Sequence, residues 1–295
     1  MKMKKILVLA VSILAIGSLV AALSKTGSHN TNDKLQVTVS FYPLQDFAKH
    51  VGGGYVEITN ITPPGAEPHD FEPSAKDLVD AQKADVFMFN SVGFEPWADK
   101  FVNDYRGTIV MGIHGISRLK DNDPHVWLDP VLAQKVVNNI RDGLIRANPA
   151  HKQDYIQNAK DYNAELAALD RDIRDGLARC RQDTVVTSHN AMSYFAKRYK
   201  LNTEAIAGIS PEEEPSAARL AEISDIVKEK GITHIFFESL VSPRLADTIA
   251  QETGARTLVF DPLEGLSHED QKNGKDYISV QRENLRNLRI ALACS

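Results

Sequence analysis

The feature that most limits how this chain can fold is an alternation of short, apolar, β-branched runs with helical segments, which occurs on both sides of one long helical stretch. Alternation of this kind is typical of βαβ units built on a mainly parallel sheet. Before the long stretch, the predicted strands include residues 35–41 and 85–90, and after it they include residues 184–187 and 232–238. We therefore predict an α/β fold with two lobes, each containing a mainly parallel sheet flanked by helices.

The long stretch covers residues 150–180, which contain no proline and a single glycine, Gly176. Its apolar residues recur at the spacing of one helix face. A helix of about 30 residues would be roughly 45 Å long at 1.5 Å per residue. We predict a rigid helix that joins an N-terminal lobe, residues 35–149, to a C-terminal lobe, residues 181–295.

The N-terminus has the pattern of an export signal. Three lysines within the first five residues precede a nearly continuous apolar run over residues 6–23, which ends in small residues. This order is typical of a secretory signal peptide, although the run is also just long enough to cross a bilayer. We predict a signal peptide over residues 1–22, with an uncleaved membrane anchor as the alternative, and a flexible leader over residues 23–34. The protein would then work in the periplasm or elsewhere outside the cytoplasm.

The composition excludes several classes of protein. With 43% hydrophobic and 25% charged residues, the chain has enough apolar side chains for a packed core, unlike a disordered chain. Its net charge of −5 gives no electrostatic reason to bind nucleic acid. The two cysteines, Cys180 and Cys294, lack the spacing of a metal finger or a redox motif. An oxidising compartment would permit a disulfide between them, and the sequence leaves that pairing open.

Four residues that can bind a metal ion follow strands or lie in loops of the predicted lobes. In open α/β sheets, ligands bind beyond the carboxyl ends of the strands, so these side chains could meet there. Three imidazoles and a carboxylate would form a closed four-coordinate site, for which zinc is the best chemical match. Each residue also has a simpler interpretation, because a loop histidine is often only hydrogen-bonded and an aspartate before proline often only forms a turn. The candidates are His69, His125, His189 and Asp261.

Five segments of the chain, in order, resemble the zinc/manganese solute-binding proteins of bacterial ABC importers, the cluster A-I metal-binding proteins. The segments are PPGAEPHDFEPSAKD, DPHVWLDP, TSHNAMSYFAKRY, GISPEEEPSAARL and VFDPLEGL, the last followed by GKDYISVQRENLRNL. The resemblance extends from about residue 35 to the C-terminus. It implies two α/β lobes, a long connecting helix and a divalent metal ion bound in the cleft between the lobes.

The resemblance also assigns roles to the four candidate residues. It implies that His69 and His125 bind the metal ion from the first lobe, and that His189 and Asp261 bind it from the second. In this family a histidine at the third position goes with zinc, whereas manganese sites tend to have a glutamate there. Imidazole is also a better ligand for zinc than for manganese. We therefore predict bound zinc, with manganese less favoured.

Three acidic features near these motifs have more than one interpretation. Glu67 stands two residues before His69, and it is a candidate for a supporting role because some family members have an acidic residue immediately before this histidine. Glu238 ends a predicted strand and either orients a ligand histidine or caps the following turn. The acidic run 212–214 is either a solvated turn near a helix N-terminus or a docking site for a basic patch on a membrane permease.

We predict a binding protein that captures zinc outside the cytoplasm and delivers it to the membrane permease of an ABC importer. It would act as a monomer and would not be an enzyme. The alternatives are a secreted zinc hydrolase, and a manganese-binding or adhesin member of the same fold. The chain contains neither HExxH nor GxSxG, the motifs of a zinc-protease helix and of a serine-hydrolase elbow. The number of protein atoms bound to the metal would separate a carrier from a hydrolase, because catalytic zinc usually keeps a position for water.

Overall fold

The computed structural model describes residues 34–91, 93–117, 119 and 122–295. The predicted signal peptide, residues 1–22, and the predicted leader up to residue 33 lie outside these residues. Within the described part of the chain, no helix is both long enough and apolar enough to cross a membrane.

The first half of the chain forms a four-stranded parallel sheet, as its apolar runs predict. Its elements are β1 (Leu35–Val39), α1 (Tyr42–Gly52), β2 (Val56–Asn60), α2 (Ala75–Ala81), β3 (Val86–Phe89), α3 (Ala98–Asp104) and β4 (Thr108–Met111). The strand order is β2-β1-β3-β4, so the direction of winding reverses between β1 and β3. Every residue of β3, with the sequence VFMF, is buried, as is usual for a parallel strand between two layers of helices.

Two long helices follow the first sheet. They are α4 (Pro130–Ala147) and α5 (Lys152–Leu177), joined by a short 3-10 turn at Pro149–His151. The Asp129 side chain accepts a hydrogen bond from the backbone N–H of Val131 and so caps the start of α4. Helix α5 has 26 residues and is about 39 Å long. It is shorter than the predicted span 150–180 because both ends of that span form turns.

The second half of the chain repeats the arrangement of the first. Its elements are β5 (Thr184–Thr187), α6 (Ser193–Tyr199), β6 (Asn202–Ala205), α7 (Ala217–Glu229), β7 (His234–Phe237), α8 (Arg244–Thr253), β8 (Arg256–Val259), α9 (His268–Lys272) and α10 (Tyr277–Ala291). The strand order β6-β5-β7-β8 is parallel throughout and matches the order of the first sheet strand for strand. The predicted fold class is confirmed: two parallel-sheet lobes flanked by helices, with a long helix between them in the sequence.

One hydrophobic core runs through both lobes. It contains residues of both sheets and of helices α1, α4, α5, α6 and α10, and Trp127 is fully buried within it. The indole N–H of Trp127 donates a hydrogen bond to the backbone oxygen of Pro262 across the two lobes (2.8 Å). The Tyr277 hydroxyl donates to the backbone oxygen of Trp127. Smaller apolar clusters lie under α2 and α3 on one sheet and under α7 and α8 on the other.

Differences between the predicted and observed elements occur mainly at helix starts. The sequence predicts a capping pair, Ser74 and Asp77, before a helix that reaches residue 83. The two residues form a capping box before α2, which ends at Ala81. The sequence predicts the last helix over residues 280–293, but α10 begins at Tyr277, because the Asp276 side chain accepts the backbone N–H of Ser279 and caps an earlier turn. The sequence does not predict α3 or α9, which have seven and five residues and are too short to show a helical period.

A disulfide joins Cys180, which follows α5, to Cys294 at the C-terminal end of the chain. The two cysteines are 114 residues apart, so the loop that the disulfide closes contains the whole second sheet. The pairing that the sequence leaves open is therefore present in the structure. A cross-link over a loop of this length restricts the unfolded chain and so stabilises the folded lobe.

Candidate metal centre

Three histidine side chains and one glutamate carboxylate meet in a cluster between the two sheets. The Nε2 atoms of His69, His125 and His189 lie 3.1, 3.0 and 3.3 Å from Oε1 of Glu264. His125 Nε2 also lies 3.1 Å from His69 Nε2 and 3.3 Å from His189 Nε2. All four ligand atoms are within 4.8 Å of one another, and three of the four residues are fully buried.

Each of these side chains lies beyond the carboxyl end of a strand. His69 is in the loop between β2 and α2, and His125 is in the loop between β4 and α4. His189 is two residues after β5, and Glu264 is five residues after β8. In both sheets the winding reverses beside the first strand, and ligand sites form at the carboxyl ends of strands at such points.

The spacing of the four donor atoms matches a tetrahedral zinc site. With bonds of about 2.0–2.1 Å from zinc to nitrogen and oxygen, the ligand atoms of a tetrahedron are about 3.3 Å apart. The five donor-to-donor distances given above are 3.0–3.3 Å. The residues therefore fit a zinc ion in number, in chemistry and in spacing.

Two buried carboxylates fix the orientation of two of the imidazoles. His125 Nδ1 lies 2.8 Å from Asp123 Oδ1, and His189 Nδ1 lies 2.7 Å from Glu238 Oε1. Because an ionised carboxylate only accepts hydrogen bonds, each Nδ1 carries a proton and donates it. When the imidazole is neutral, its Nε2 keeps a lone pair that faces the cluster. Of the two interpretations of Glu238, its contact with His189 favours the orienting role.

His69 is held differently and lies nearer to the solvent. Its side chain is 7% exposed, whereas those of His125 and His189 are 0% exposed. Its backbone N–H donates a hydrogen bond to Oε1 of Glu67 (3.1 Å), and its ring packs edge-on against Phe94. Glu67 therefore supports the loop that presents His69, and the His69 side is the most accessible side of the cluster.

The charges of the cluster are strongly coupled. Burial alone would lower the pKa of His189, but the carboxylates of Glu264 and Glu238 outweigh it and hold this pKa well above its ordinary value. Burial also opposes ionisation of Glu264, yet the neighbouring His189 and His69 hold the pKa of its carboxyl well below its usual range. Burial, followed by the charge of Glu264, raises the pKa of Glu67 to about 9. A cation that binds here replaces protons on the imidazoles, so its binding releases protons.

Asp261, the fourth ligand expected from the sequence, is not part of this cluster. Its Oδ1 accepts a hydrogen bond from the backbone N–H of Leu263 (2.7 Å), and its Oδ2 accepts one from the Ser239 hydroxyl. Glu264, three residues later, meets the imidazoles in its place. The donors that the structure brings together are therefore the three expected histidines and Glu264, which corrects the expectation of Asp261. The physical reason is that both oxygens of the Asp261 carboxylate already accept hydrogen bonds, one from Leu263 in its own loop and one from Ser239 after the neighbouring strand β7.

Sequence reasoning missed both Glu264 and Asp123. A signal for Glu264 exists, because a carboxylate within the apolar run PLEGL directly after a strand needs a partner if it is buried. Asp123 has a local signal, two residues before His125, where its Oδ1 also accepts the His125 backbone N–H (2.9 Å). The choice between Asp261 and Glu264 requires the path of the loop, which depends on contacts distant in the sequence.

The fold and the cluster together define a two-lobed α/β binding protein with a metal site in the cleft between its lobes. The family described as ZnuA, zinc-uptake complex component A, periplasmic, matches residues 37–291. Because this match covers most of the chain, the protein belongs to that family. The resemblance drawn from the sequence motifs is thereby confirmed.

Individual relatives agree with this assignment. The chain is 36% identical to the high-affinity zinc uptake system protein ZnuA of Bacillus subtilis over 312 residues, which cover 99% of this chain and 98% of the relative. It is 37% identical to the zinc-binding lipoprotein AdcA of Streptococcus pneumoniae over 308 residues, which cover 97% of this chain but only 61% of that protein. The crystal structure of the Zn(II)-bound ZnuA-like domain of the Streptococcus pneumoniae AdcA has a TM-score of 0.80 and 39% identity, covering 88% of this chain and 99% of that domain.

Proposed function

We propose that this protein captures a zinc ion between its lobes and delivers it to the membrane permease of an ABC importer. The observation that carries the proposal is the convergence of three imidazole Nε2 atoms on Glu264 Oε1, with donor atoms 3.0–3.3 Å apart. The zinc uptake named for the Bacillus subtilis relative and the zinc-bound AdcA domain support the same cargo. In this proposal the ligands are His69, His125, His189 and Glu264.

The donor set favours zinc over manganese. Three imidazole nitrogens and one carboxylate oxygen suit zinc, whereas manganese favours sites made mainly of oxygen atoms. His189 occupies the position at which the sequence resemblance distinguishes the two metals, and its Nε2 faces the cluster.

The proposed site suits a carrier better than a hydrolase. Catalytic zinc usually has three protein ligands and keeps a fourth position for water. Here the protein supplies a donor for each of the four positions of a tetrahedron. All four donors come from one chain, which supports a protein that works as a monomer.

Delivery to a permease requires the protein to act outside the cytoplasmic membrane. The basic and apolar sequence of residues 1–22 supports export, and one of the relatives is named as a lipoprotein. Four protein ligands hold zinc tightly, so release requires at least one of them to be displaced. We propose that docking on the permease supplies this displacement.

Native mass spectrometry of the metal-stripped protein, mixed with zinc, manganese, calcium and magnesium in equal amounts, tests the proposal. We expect one zinc ion per chain. His125→Ala should lose this ion, because it removes a fully buried donor, whereas His268→Ala, at an exposed histidine of α9, should keep it as the matched control. Preferential binding of manganese, or zinc binding that survives His125→Ala, would contradict the proposed site.

A further inference from the structure

The loop that follows β8 has a strained residue directly before Glu264. Leu263 has a left-handed backbone conformation, with φ of +60°, and is fully buried. Elsewhere in the described part of the chain, the non-glycine residues with positive φ are Asn122, Lys200 and Ala293, all exposed. A residue with a Cβ atom is disfavoured in this region, so other contacts must hold Leu263 there.

Asp261 and Asn284 provide these contacts. The backbone N–H of Leu263 donates to Asp261 Oδ1 (2.7 Å), and the Ser239 hydroxyl donates to Asp261 Oδ2. Asn284, on α10, accepts the backbone N–H of Asp261 (2.8 Å) and donates from Nδ2 to the backbone oxygen of Asp261 (2.7 Å). We call these four residues, Ser239, Asp261, Leu263 and Asn284, the 261 clasp.

The same loop is also bound to the other lobe. Trp127 donates its indole N–H to the backbone oxygen of Pro262, which lies between Asp261 and Leu263 (2.8 Å). Trp127 and Asn284 are each 1% exposed, so both contacts are shielded from water. The backbone that leads to Glu264 is therefore fixed from two directions.

We propose that Asp261 is a positioning residue, which acts through the 261 clasp to place Glu264 on the metal ion. Glu264 Oε1 lies 3.0–3.3 Å from three separate nitrogens, and a small rotation at Leu263 would carry it away from them. Two carboxylates three residues apart thus have different tasks, because Asp261 shapes the loop and Glu264 binds. This inference rests on the proposed zinc site.

Substitutions at Asp261 separate the shape of its side chain from its charge. Asp261→Ala removes the acceptor for the Leu263 N–H, so zinc affinity should fall by about 10–100-fold, as for other groups that orient a ligand. Asp261→Asn removes the charge but keeps an oxygen for that N–H, and its new amide NH2 can donate to the Ser239 hydroxyl oxygen instead of accepting from it. Its affinity should therefore stay within about threefold of the wild type. Competition with a chromogenic chelator measures both affinities.

Two asparagines on α10 give a matched pair of variants. Asn284→Ala breaks the clasp without touching the carboxylates, and it should lower zinc affinity in the same direction as Asp261→Ala. Asn287 lies almost one turn further along the helix and donates from Nδ2 to the backbone oxygen of Val259 (2.8 Å). Asn287→Ala should leave the zinc affinity unchanged. Asn284→Ala also keeps the test available if Asp261→Ala does not fold.

A spectroscopic readout distinguishes a misplaced ligand from a weakened fold. The visible spectrum of cobalt(II) bound in place of zinc reports the number and kind of its ligands. With Asp261→Ala it should change toward the spectrum of Glu264→Gln, whereas with Asp261→Asn it should stay like that of the wild type. The double variant Asp261→Ala/Glu264→Gln should bind zinc about as weakly as Glu264→Gln alone, because both changes remove the same contact.

The possible failures point to different conclusions. If Asp261→Asn weakens zinc binding as much as Glu264→Gln does, the Asp261 charge itself acts on the ion and the positioning role is overturned. If Asp261→Ala and Asn284→Ala both bind like the wild type while Glu264→Gln does not, the clasp is irrelevant but the zinc site stands. If Glu264→Gln and His125→Ala both keep the wild-type zinc affinity, the proposed function itself fails.

Discussion

The two lobes have the same strand order but hold their metal-binding side chains in different ways. In the first lobe, His69 and His125 are carried by the loops 61–74 and 112–129, which contain no β-strand or α-helix among their described residues. In the second lobe, His189 follows β5 almost directly and Glu264 sits in a loop held by the 261 clasp. The first lobe therefore depends on loop conformation, and the second depends more on the sheet itself.

The groups that orient the imidazoles show the same contrast. Asp123 is two residues from His125 in the same loop, so this pair is local in the sequence. Glu238 is 49 residues from His189 and stands at the end of the neighbouring strand β7. We expect the second lobe to present its donors before the ion arrives, and the first lobe to complete the site on binding.

Removal of one buried ligand from each lobe should have the largest effect. His125→Ala and His189→Ala should each lower zinc affinity by on the order of 100- to 1,000-fold, since four ligands share a binding free energy of about 10–16 kcal/mol. His69→Ala should cost less, because water can replace a donor on the exposed side. Chelator competition measures these losses. If the His125 and His189 variants differ by more than tenfold, one lobe dominates binding and the bridging arrangement is wrong.

Removal of the orienting carboxylates should have the next largest effect and should differ between the lobes. Asp123→Ala and Glu238→Ala should each weaken zinc binding by about 10–100-fold. Asp123→Ala should lie at the upper end of that range, because Asp123 also holds the His125 backbone, whereas His189 stays anchored by its strand. Titration with zinc measures both, with Glu269→Ala, at an exposed residue of α9, as the control. If the two variants lose the same amount of zinc affinity, the loop of the first lobe and the strand of the second hold their histidines equally well, and the proposed difference between the lobes is wrong.

Acidification should weaken zinc binding in both lobes. Burial lowers the pKa of His125, but its hydrogen bonds with Asp123 and Glu264 outweigh this effect and raise the pKa, and that of His189 is raised as well. A raised pKa means that protons compete up to a higher pH, so affinity should fall by about tenfold per pH unit for each proton displaced. Affinity measured between about pH 8 and pH 5 checks this. A flat profile would show that the histidines do not bind the ion.

Loss of the disulfide should have the smallest effect on zinc affinity, and its effect on stability should be confined to the second lobe. Cys180→Ser together with Cys294→Ser should change the affinity less than about twofold, because the cross-link is not part of the metal cluster. It should nevertheless lower the free energy of unfolding by about 2–4 kcal/mol. Hydrogen exchange should rise in the second lobe, which the disulfide encloses. An equal rise in the first lobe would show that the two lobes unfold as a unit.

Much of the fold could be predicted because its signals are local. Runs such as VFMF in β3 and the capping pair Ser74 and Asp77 specify their elements without help from distant residues. His125 and His189 are candidates for a related reason, since His125 lies in a loop between elements of the first lobe and His189 follows a predicted strand, and ligands of open α/β sheets bind beyond the carboxyl ends of the strands. Only the family resemblance linked residues of one lobe with residues of the other.

The fourth donor could not be chosen from the sequence, because its choice depends on tertiary contacts. Asp261 and Glu264 are both carboxylates after the same strand, and nothing in their spacing ranks one above the other. Which carboxylate reaches the imidazoles depends on the hydrogen bonds between Asp261 and Asn284, 23 residues away, and on the left-handed backbone conformation of Leu263. A leucine in that conformation is rare enough that no propensity rule predicts it.

The bond between Trp127 and Pro262 has a mechanical consequence for unloading the cargo. This hydrogen bond lies in the core that the two lobes share. A rigid-body separation of the lobes would expose the indole, at a cost of about 4–6 kcal/mol for its apolar area alone. At the rim, by contrast, the backbone N–H of the exposed Gly65 donates to the backbone oxygen of the buried Leu266, which joins the two lobes there (3.1 Å). We expect the ion to leave on the His69 side, after the Gly65–Leu266 contact opens, while the Trp127–Pro262 hydrogen bond in the core stays in place.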